Sequence, residues 1–318
     1  MNGVFLDTQS LDIGDLDFKA LKKAIGKWQF YDATEPAQTK ERIKQAEIVV
    51  SNKVILDKET LKSAKKLKLI CVAATGTNNI DLVTAKKLNI AVCNVIAYAT
   101  PSVVQHVFAL ILALATRLPD YQRAVRENRW QYSQQFCLLD YPIDEIAGKT
   151  MGIVGFGELG QAVAKAAEAF GLKVLIAKRP GSKDKQKARI PLNNLLPQID
   201  ILTIHTPLAD NTKNMIGKKE LALMKETAIL INTARGGIVD EQALADALRN
   251  GKLGGAGVDT LTQEPPTNQN PLLAPDIPNL IVTPHTAWAS RASRQRLLDQ
   301  VAENIEAFKK GEPRNIVI

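Results

Sequence analysis

The chain has 318 residues, 45% hydrophobic and 23% charged, a composition that excludes collagen, coiled coil and a disordered chain. At about 100–200 residues per domain, this length predicts two domains, each large enough to bury a core. Lys and Arg number 41 against 33 acids, a net charge of +8; with no nucleic-acid motif and no single basic stripe, that excess does not point to DNA or RNA.

Three cysteines, Cys71, Cys93 and Cys137, are too few for a disulfide framework and fit a reducing compartment. The opening segment MNGVFLDTQSLD carries acids and no basic-then-apolar signal region. The longest apolar run, Val107 to Ala115, is well short of the ~18–20 residues of a membrane-spanning helix. A soluble cytoplasmic protein with no membrane partner is expected, and no metal.

The first hundred residues alternate short apolar runs with polar helical stretches. GVFLD, EIVVS, LKLICVAA and NIAVCNV read as buried strands. FKALKKAIG, TKERIKQA, KETLKSAKKL and NIDLVTAKKL lie between them with helical spacing. Strands separated by helices predict parallel β/α units. The pattern changes at Ala99 to Pro101, where Thr100 is a candidate N-cap and Pro101 the first helical residue. From Ser102 to about Leu118 the helix is apolar nearly all round, so it is expected to be buried in a core or against another subunit. His106, midway along it, reads as a satisfied core histidine. Glu127 to Pro142 is irregular and aromatic, with Trp130, Tyr132, Phe136 and Tyr141.

A second α/β series begins at Lys149, with TMGIVG, KVLIA, DILTIHT, AILINTA, GGAGVDT and LIVTPH as strands. The last helix runs from Arg291 to about Lys310 and Gly311 can end it. The sequence pattern by itself does not say where this helix packs.

Gly155-Phe156-Gly157-Glu158-Leu159-Gly160 follows the strand MGIV and opens a helix. That context fits a dinucleotide-binding turn. Gly155 permits the turn, Gly157 lets a pyrophosphate approach the backbone, and Gly160 lets helix and strand pack closely. The helix amino end supplies free N–H groups and the positive end of a dipole. An acid normally ends the second strand of an NAD-binding unit and bonds the ribose 2′-hydroxyl. Here Lys178 and Arg179 stand there. Lys and Arg pair with a 2′-phosphate where a carboxylate would repel it. NADP(H) is therefore favoured over NAD(H), with Ser182 a further candidate donor. The more distal Lys183, Lys185 and Lys187 read as a solvated basic loop.

In a doubly wound sheet, ligands sit outside the carboxyl ends of the strands. Those ends carry His205-Thr206-Pro207, Thr233-Ala234-Arg235, Asp259 and His285, with Glu264 in the loop after Asp259. Arg235, in the apolar INTARGG, is suited to binding a carboxylate in bidentate fashion. His285 is suited to general acid–base work. Glu264, if it reaches His285, would stabilise the imidazolium. His205 can bound the cofactor pocket.

GIVGFGELG, ILTIHTPLADNT, LINTARGGIVDEQAL, GAGVDTLTQEPP and TPHTAWAS together resemble the D-isomer-specific 2-hydroxyacid dehydrogenases over essentially the whole chain. QEPP and TPHTAWAS look most like the glycerate dehydrogenase, or hydroxypyruvate reductase, subgroup. The resemblance implies two doubly wound parallel α/β domains. A Rossmann cofactor domain, about 100–287, would be inserted in a flavodoxin-like substrate domain, about 1–99 and 288–318. The active site would lie in a cleft and the enzyme would be a homodimer, with the helix after Pro101 and the aromatic arm as dimer contacts.

Residue by residue, the resemblance implies Arg235, Glu264 and His285 as catalytic residues and Asp259 as a nicotinamide-facing aspartate. Around the cofactor, the glycine loop, Lys178, Arg179, His205, Thr206, Pro207, Thr212, Thr233 and Ala234 are the expected residues. The substrate carboxylate would meet Thr75, Gly76 and Asn78, with Lys53 a weaker contact. Relatives in this subgroup often carry an acid at the position of Lys178, so the cofactor choice is not simply inherited. The implied reaction is reversible reduction of a small 2-keto acid, most directly hydroxypyruvate or glyoxylate. D-lactate-type or phosphoglycerate specificity is the alternative within the family, and a non-catalytic NAD(P)H-sensing scaffold is the alternative outside it.

Overall fold

A computed structural model of the chain describes residues 1–179, 189–267 and 269–318. The chain divides into two compact units, Met1–Ala99 with Trp288–Ile318, and Thr100–Ala287. The chain therefore enters unit 1, leaves it for unit 2, and returns.

Unit 1 contains β1 (Asn2–Phe5), α1 (Lys19–Ala24), β2 (Lys27–Phe30), α2 (Pro36–Ile43), β3 (Ile48–Ser51), α3 (Lys58–Ser63), β4 (Leu69–Val72), α4 (Leu82–Lys87) and β5 (Ala91–Cys93). All strands are parallel and the sheet order is β2-β1-β3-β4-β5, a flavodoxin-like order. The central strands IVVS and LICV are buried at every position. That explains their continuous apolar runs, since a parallel sheet is covered on both faces. Local chemistry starts the helices. The side chains of Asp57 and Asp81 accept from the amides of Thr60 and Thr84 three residues on, and Glu35 with Gln38 forms a capping box ahead of Pro36.

Unit 2 contains α5 (Thr100–Ala115), α6 (Leu118–Arg126), β6 (Thr150–Val154), α7 (Glu158–Ala169), β7 (Lys173–Ala177), β8 (Arg189–Ile190), α8 (Leu192–Leu195), β9 (Ile201–Ile204), α9 (Lys218–Leu221), β10 (Ile229–Asn232), α10 (Glu241–Arg249), β11 (Gly255–Val258) and β12 (Leu280–Val282). Its seven-stranded parallel sheet runs β12-β11-β10-β9-β6-β7-β8. Counting from β6, that is the Rossmann order with one strand added beyond the sixth. Two strands escape the hydrophobic pattern. β2 is a largely exposed edge strand, and β8 has two residues.

The last helix, α11 (Arg291–Lys309), closes unit 1. Leu297, Leu298, Val301 and Ile305 are buried in one cluster with Phe5, Ile48, Val50 and Leu69. Gly311, at φ +80°, follows the helix end. Arg294 reaches 279 residues back: Nη1 and Nη2 each donate to one Asp15 oxygen at 2.7 Å, and Nη1 also donates to Leu11 O. That bidentate pair holds the Asp15 carboxyl below the usual carboxylate range.

The apolar side of α5, Val107, Leu110, Ile111 and Leu114, is buried inside unit 2. A Cβ on Gly257 would lie 3.0 Å from the Leu110 Cβ, so bare glycines in β11 let the helix sit close on the sheet. Thr100 belongs to the helix itself and is not its cap. The aromatic arm is irregular as expected, with Tyr132, Phe136 and Leu139 more than 80% exposed.

Leu297→Ala removes a fully buried side chain, and is expected to cost roughly 2–5 kcal/mol. Urea unfolding followed by circular dichroism measures it. An unchanged midpoint would separate α11 from the core of unit 1.

Candidate active site

Register does the first work. Val154, Ile204, Asn232, Val258 and Val282, the last residues of β6, β9, β10, β11 and β12, are mutual partners across the sheet. Five strands therefore stop in line. The next residue of each, Gly155, His205, Thr233, Asp259 and Thr283, begins a loop at the same edge.

The glycine loop fits this edge because two of its three glycines stand where a side chain would clash. Gly155 sits at φ +91°, and a Cβ there would fall 2.3 Å from His205 O. A Cβ on Gly160 would fall 2.1 Å from Gly155 O. At Gly157, by contrast, a Cβ would meet no atom of the described residues within 4 Å. Gly157 is the N-cap of α7, and no side chain among the described residues caps that helix. The first-turn amides thus face outward for an anion. Glu158 does not offer its carboxylate there; Oε1 accepts from Thr100 Oγ1 at 2.7 Å. Phe156 and Leu159 are half-buried shoulders of the turn.

Lys178 and Arg179 follow β7 directly. The Lys178 amide donates to Ile190 O at 2.7 Å, and Arg189 pairs with Ile176, which brings Arg189 beside the strand end. The expectations for Ser182, Lys183, Lys185 and Lys187 fall outside the described residues.

His285 has a left-handed backbone, φ +54°, uncommon for a residue with a side chain. Its Nδ1 lies 2.6 Å from Glu264 Oε2. Glu264 Oε1 accepts from the Leu261 amide at 2.9 Å, which fixes the carboxylate. A carboxylate oxygen accepts, so Nδ1 carries the hydrogen and Nε2 is left for proton exchange.

Asp259 departs from its expected task. Its side chain is 1% exposed. Oδ1 accepts from Thr283 Oγ1 at 2.6 Å and from the Thr286 amide at 2.9 Å, and Oδ2 accepts from the Ala287 amide at 3.0 Å. The carboxylate expected to face a nicotinamide is turned into its own protein, where it staples the turn carrying His285.

Arg235 is exposed beyond β10, with Nη1 donating to Ala234 O at 2.7 Å. Asn232 bridges the turn, donating to Arg235 O and accepting from the Ala234 amide. The next residue, Gly236, is glycine of necessity: a Cβ would land 2.0 Å from the Leu261 carbonyl. The Arg235 loop and the Asp259–Glu264 loop are therefore pressed together. Thr206 and Pro207 follow β9 at the same edge. Thr212 is a correction, because its buried hydroxyl bonds Pro207 O and the Ala209 backbone and so shapes that loop rather than facing a ligand.

In unit 1, Lys53 and the segment Thr75–Asn78 follow β3 and β4, neighbouring strands that end together. An isolated bridge between Leu56 and Ile80 and the bond from Asn79 Nδ2 to Val54 O join their loops. Lys53 is exposed, and its amide donates to the buried Asp7 carboxylate at 2.6 Å. The Thr75 hydroxyl, expected toward substrate, donates instead to Val95 O at 2.9 Å. Gly76 and Asn78 lie in the irregular turn that this bond anchors.

Residues 108–287 match the family model described as D-isomer specific 2-hydroxyacid dehydrogenase, NAD binding domain. The chain belongs to that family. It is 47% identical to the glycerate dehydrogenase of Methylorubrum extorquens, over 99% of this chain and 98% of that one. It is 39% identical to the hydroxypyruvate reductase of Blautia hydrogenotrophica, over 100% and 99% of the two chains. A solved D-lactate dehydrogenase from Aquifex aeolicus, complexed with NAD and lactic acid, superposes with a TM-score of 0.82 at 31% identity, over 99% of each chain. As a 2-hydroxyacid dehydrogenase, the chain is an oxidoreductase that acts on CH–OH with NAD(P).

The residues present fit a dinucleotide. His205 Nδ1, Thr233 Oγ1 and Thr260 Oγ1 are buried with no hydrogen-bond partner among the described residues. They follow β9, β10 and β11, whose ends are in register with that of β6. Buried polar atoms rarely go unpaired, so this row suits a polar ligand. Sequence reasoning does not single out Thr260; its only signal there is its place beside Asp259.

Burial lowers the His205 pKa to about 4 from an ordinary 6.5, so the ring is neutral near pH 7. The unfolded chain takes a proton at this site below pH 6.5, and the folded chain resists until about pH 4. Stability is therefore lost as pH falls through that window, by roughly 3 kcal/mol. His205→Gln should flatten this part of the profile, read as urea stability of the two proteins from pH 7 to 4. Parallel profiles would contradict the shift.

Proposed function

We propose that this dehydrogenase reduces a small 2-keto acid, hydroxypyruvate or glyoxylate, to the D-2-hydroxy acid, as a glycerate dehydrogenase does. One observation carries the reading: Glu264 holds His285 by Nδ1 at 2.6 Å, at the same sheet edge as the glycine loop and Arg235. The relatives named above act on the same class of substrate.

Bound NAD(P)H supplies the hydride. The amides at the start of α7 and the unpaired polar atoms beyond β9, β10 and β11 hold the dinucleotide. Arg235 binds the substrate carboxylate and polarises the keto oxygen. His285 gives that oxygen a proton from Nε2 as the carbonyl carbon is reduced. Glu264 fixes the tautomer and orientation of the ring. In the reverse direction the same nitrogen removes the hydroxyl proton. Unit 2 is the cofactor domain in this reading, and unit 1 the substrate domain. Lys53 and the backbone amides around Gly76 and Asn78 are the anion-binding groups of unit 1.

Lys178 and Arg179 favour NADP(H) over NAD(H), because two cations follow β7 where an acid selects the unphosphorylated ribose. The exposed aromatic arm supports a homodimer, and the free cysteines support a cytoplasmic location. Tyr132→Asp combined with Phe136→Asp is expected to halve the mass measured by light scattering.

His285→Ala should lower kcat for hydroxypyruvate by ~10²–10⁴-fold. Full turnover by that variant would remove His285 from the reaction. Lys178→Asp should move the preference from NADPH toward NADH, measured as the ratio of kcat/KM values; an unchanged ratio makes Lys178 a bystander. A panel of hydroxypyruvate, glyoxylate, pyruvate and phosphohydroxypyruvate, each with both cofactors, tests the substrate class. Tight NAD(P)H binding with no turnover on any acid would favour a sensing scaffold.

A further inference from the structure

α5 carries two polar residues one turn apart, Ser102 and His106, and both reach the turn that carries His285. Ser102 Oγ donates to Ala287 O at 2.7 Å. His106 Nε2 lies 2.9 Å from Thr283 Oγ1, across 177 residues of sequence. The two contacts fall on either side of His285. The helix therefore grips the turn at both ends, from one face, since residues four apart lie above one another.

The direction of the hydrogen bonds is decided by counting protons. A threonine hydroxyl has one hydrogen. At Thr283 that hydrogen goes to Asp259 Oδ1, at 2.6 Å. Thr283 Oγ1 can then only accept from His106, so His106 must carry its hydrogen on Nε2. The result is a chain from His106 Nε2–H to Thr283 Oγ1–H to Asp259 Oδ1. The His106 Nε2 is itself 3.5 Å from that oxygen. Asp259 spends the rest of its carboxylate on the Thr286 and Ala287 amides, and its carbonyl accepts from the His285 amide at 2.9 Å.

A non-glycine residue at φ +54° is held only where its surroundings over-determine it. Here the surroundings are Asp259, and behind Asp259 the chain that ends on α5. We propose that His106 is a positioning residue for His285, acting through Thr283 and Asp259, with Ser102 fixing the far end of the same turn. The proposal deepens the reading of His285 as proton donor and rests on it. A core histidine needs only some partner; this one holds the residue two places before His285.

Four variants of the full chain test it: His106→Leu, His106→Gln, Thr283→Val, and the double variant that combines His106→Leu with Thr283→Val. Gln places an amide N–H where the Nε2–H stands, and Leu removes it. With hydroxypyruvate, His106→Leu should lower kcat by about 10- to 100-fold with KM for the cofactor nearly unchanged, the size expected when a reacting group is misplaced by about 1 Å. His106→Gln should recover most of that loss. The double variant should be no slower than Thr283→Val alone, since one chain is cut twice. Equal kcat for wild type and His106→Leu, or no recovery with Gln, overturns the proposal.

A second readout does not need turnover. The chain has three histidines, so their ring signals in ¹⁵N–¹H spectra are assigned by single substitutions. His106 should appear as the Nε2–H tautomer, and Thr283→Val should shift the ring signals of both His106 and His285. A His106 protonated on Nδ1, or His285 signals unmoved by His106→Leu, overturns the positioning role. If wild type reduces no keto acid while these shifts appear, the proposed reaction fails and the positioning of His285 stands.

Discussion

The alignment of five strand ends in the seven-stranded sheet is the constraint on which the rest depends. Parallel pairing with Val154, Ile204, Asn232, Val258 and Val282 in register delivers every loop to one edge. A slip of one residue in any pair would turn that strand's side chains to the other face. The loops then need little further information to meet. Arg235, Asp259 and His285 each follow a strand end by one to three residues, too short a reach for them to scatter.

Close approach between these loops is secured by missing side chains and by one buried carboxylate. Gly155 lies against the His205 carbonyl, Gly160 against that of Gly155, and Gly236 against that of Leu261. The first and last of these contacts join loops of different strands, so the edge behaves as one packed surface. Asp259 does for the His285 turn what the glycines do elsewhere. Its two oxygens collect amides from Thr286 and Ala287, and this offsets the cost of burying the charge. A preorganised proton donor needs such support, because a side chain on a loop is otherwise free to reorient.

What the sequence made legible follows from range. The buried strands announce themselves as apolar runs, and the strand–glycine–helix turn is a local pattern. The polar residues just beyond strands could be read as a site because the fold class says which edge binds. β2 was missed because an exposed edge strand need not be apolar, and β8 because two residues carry no period. The task of Asp259 and the partner of His106 were illegible for a different reason. Both depend on hydrogen bonds between residues 24 to 177 positions apart, and nothing near either residue encodes the partner. Thr75 and Thr212 show the same limit in reverse. Their hydroxyls are consumed by backbone carbonyls, a fate that composition does not distinguish from ligand binding.

Sheet order also separates the two proposed roles. Lys178 follows β7, and His285 follows β12, five strand positions away. At about 4.8 Å per strand the two ends lie roughly 24 Å apart. The screening length in physiological salt is about 8 Å. A charge change beyond β7 is therefore barely felt at His285. The proposed selection of the cofactor through Lys178 and Arg179 is thus separable from the pairing of His285 with Glu264. In the proposed reading, Lys178 and Arg179 meet a phosphate at one end of this sheet edge and His285 exchanges its proton at the other.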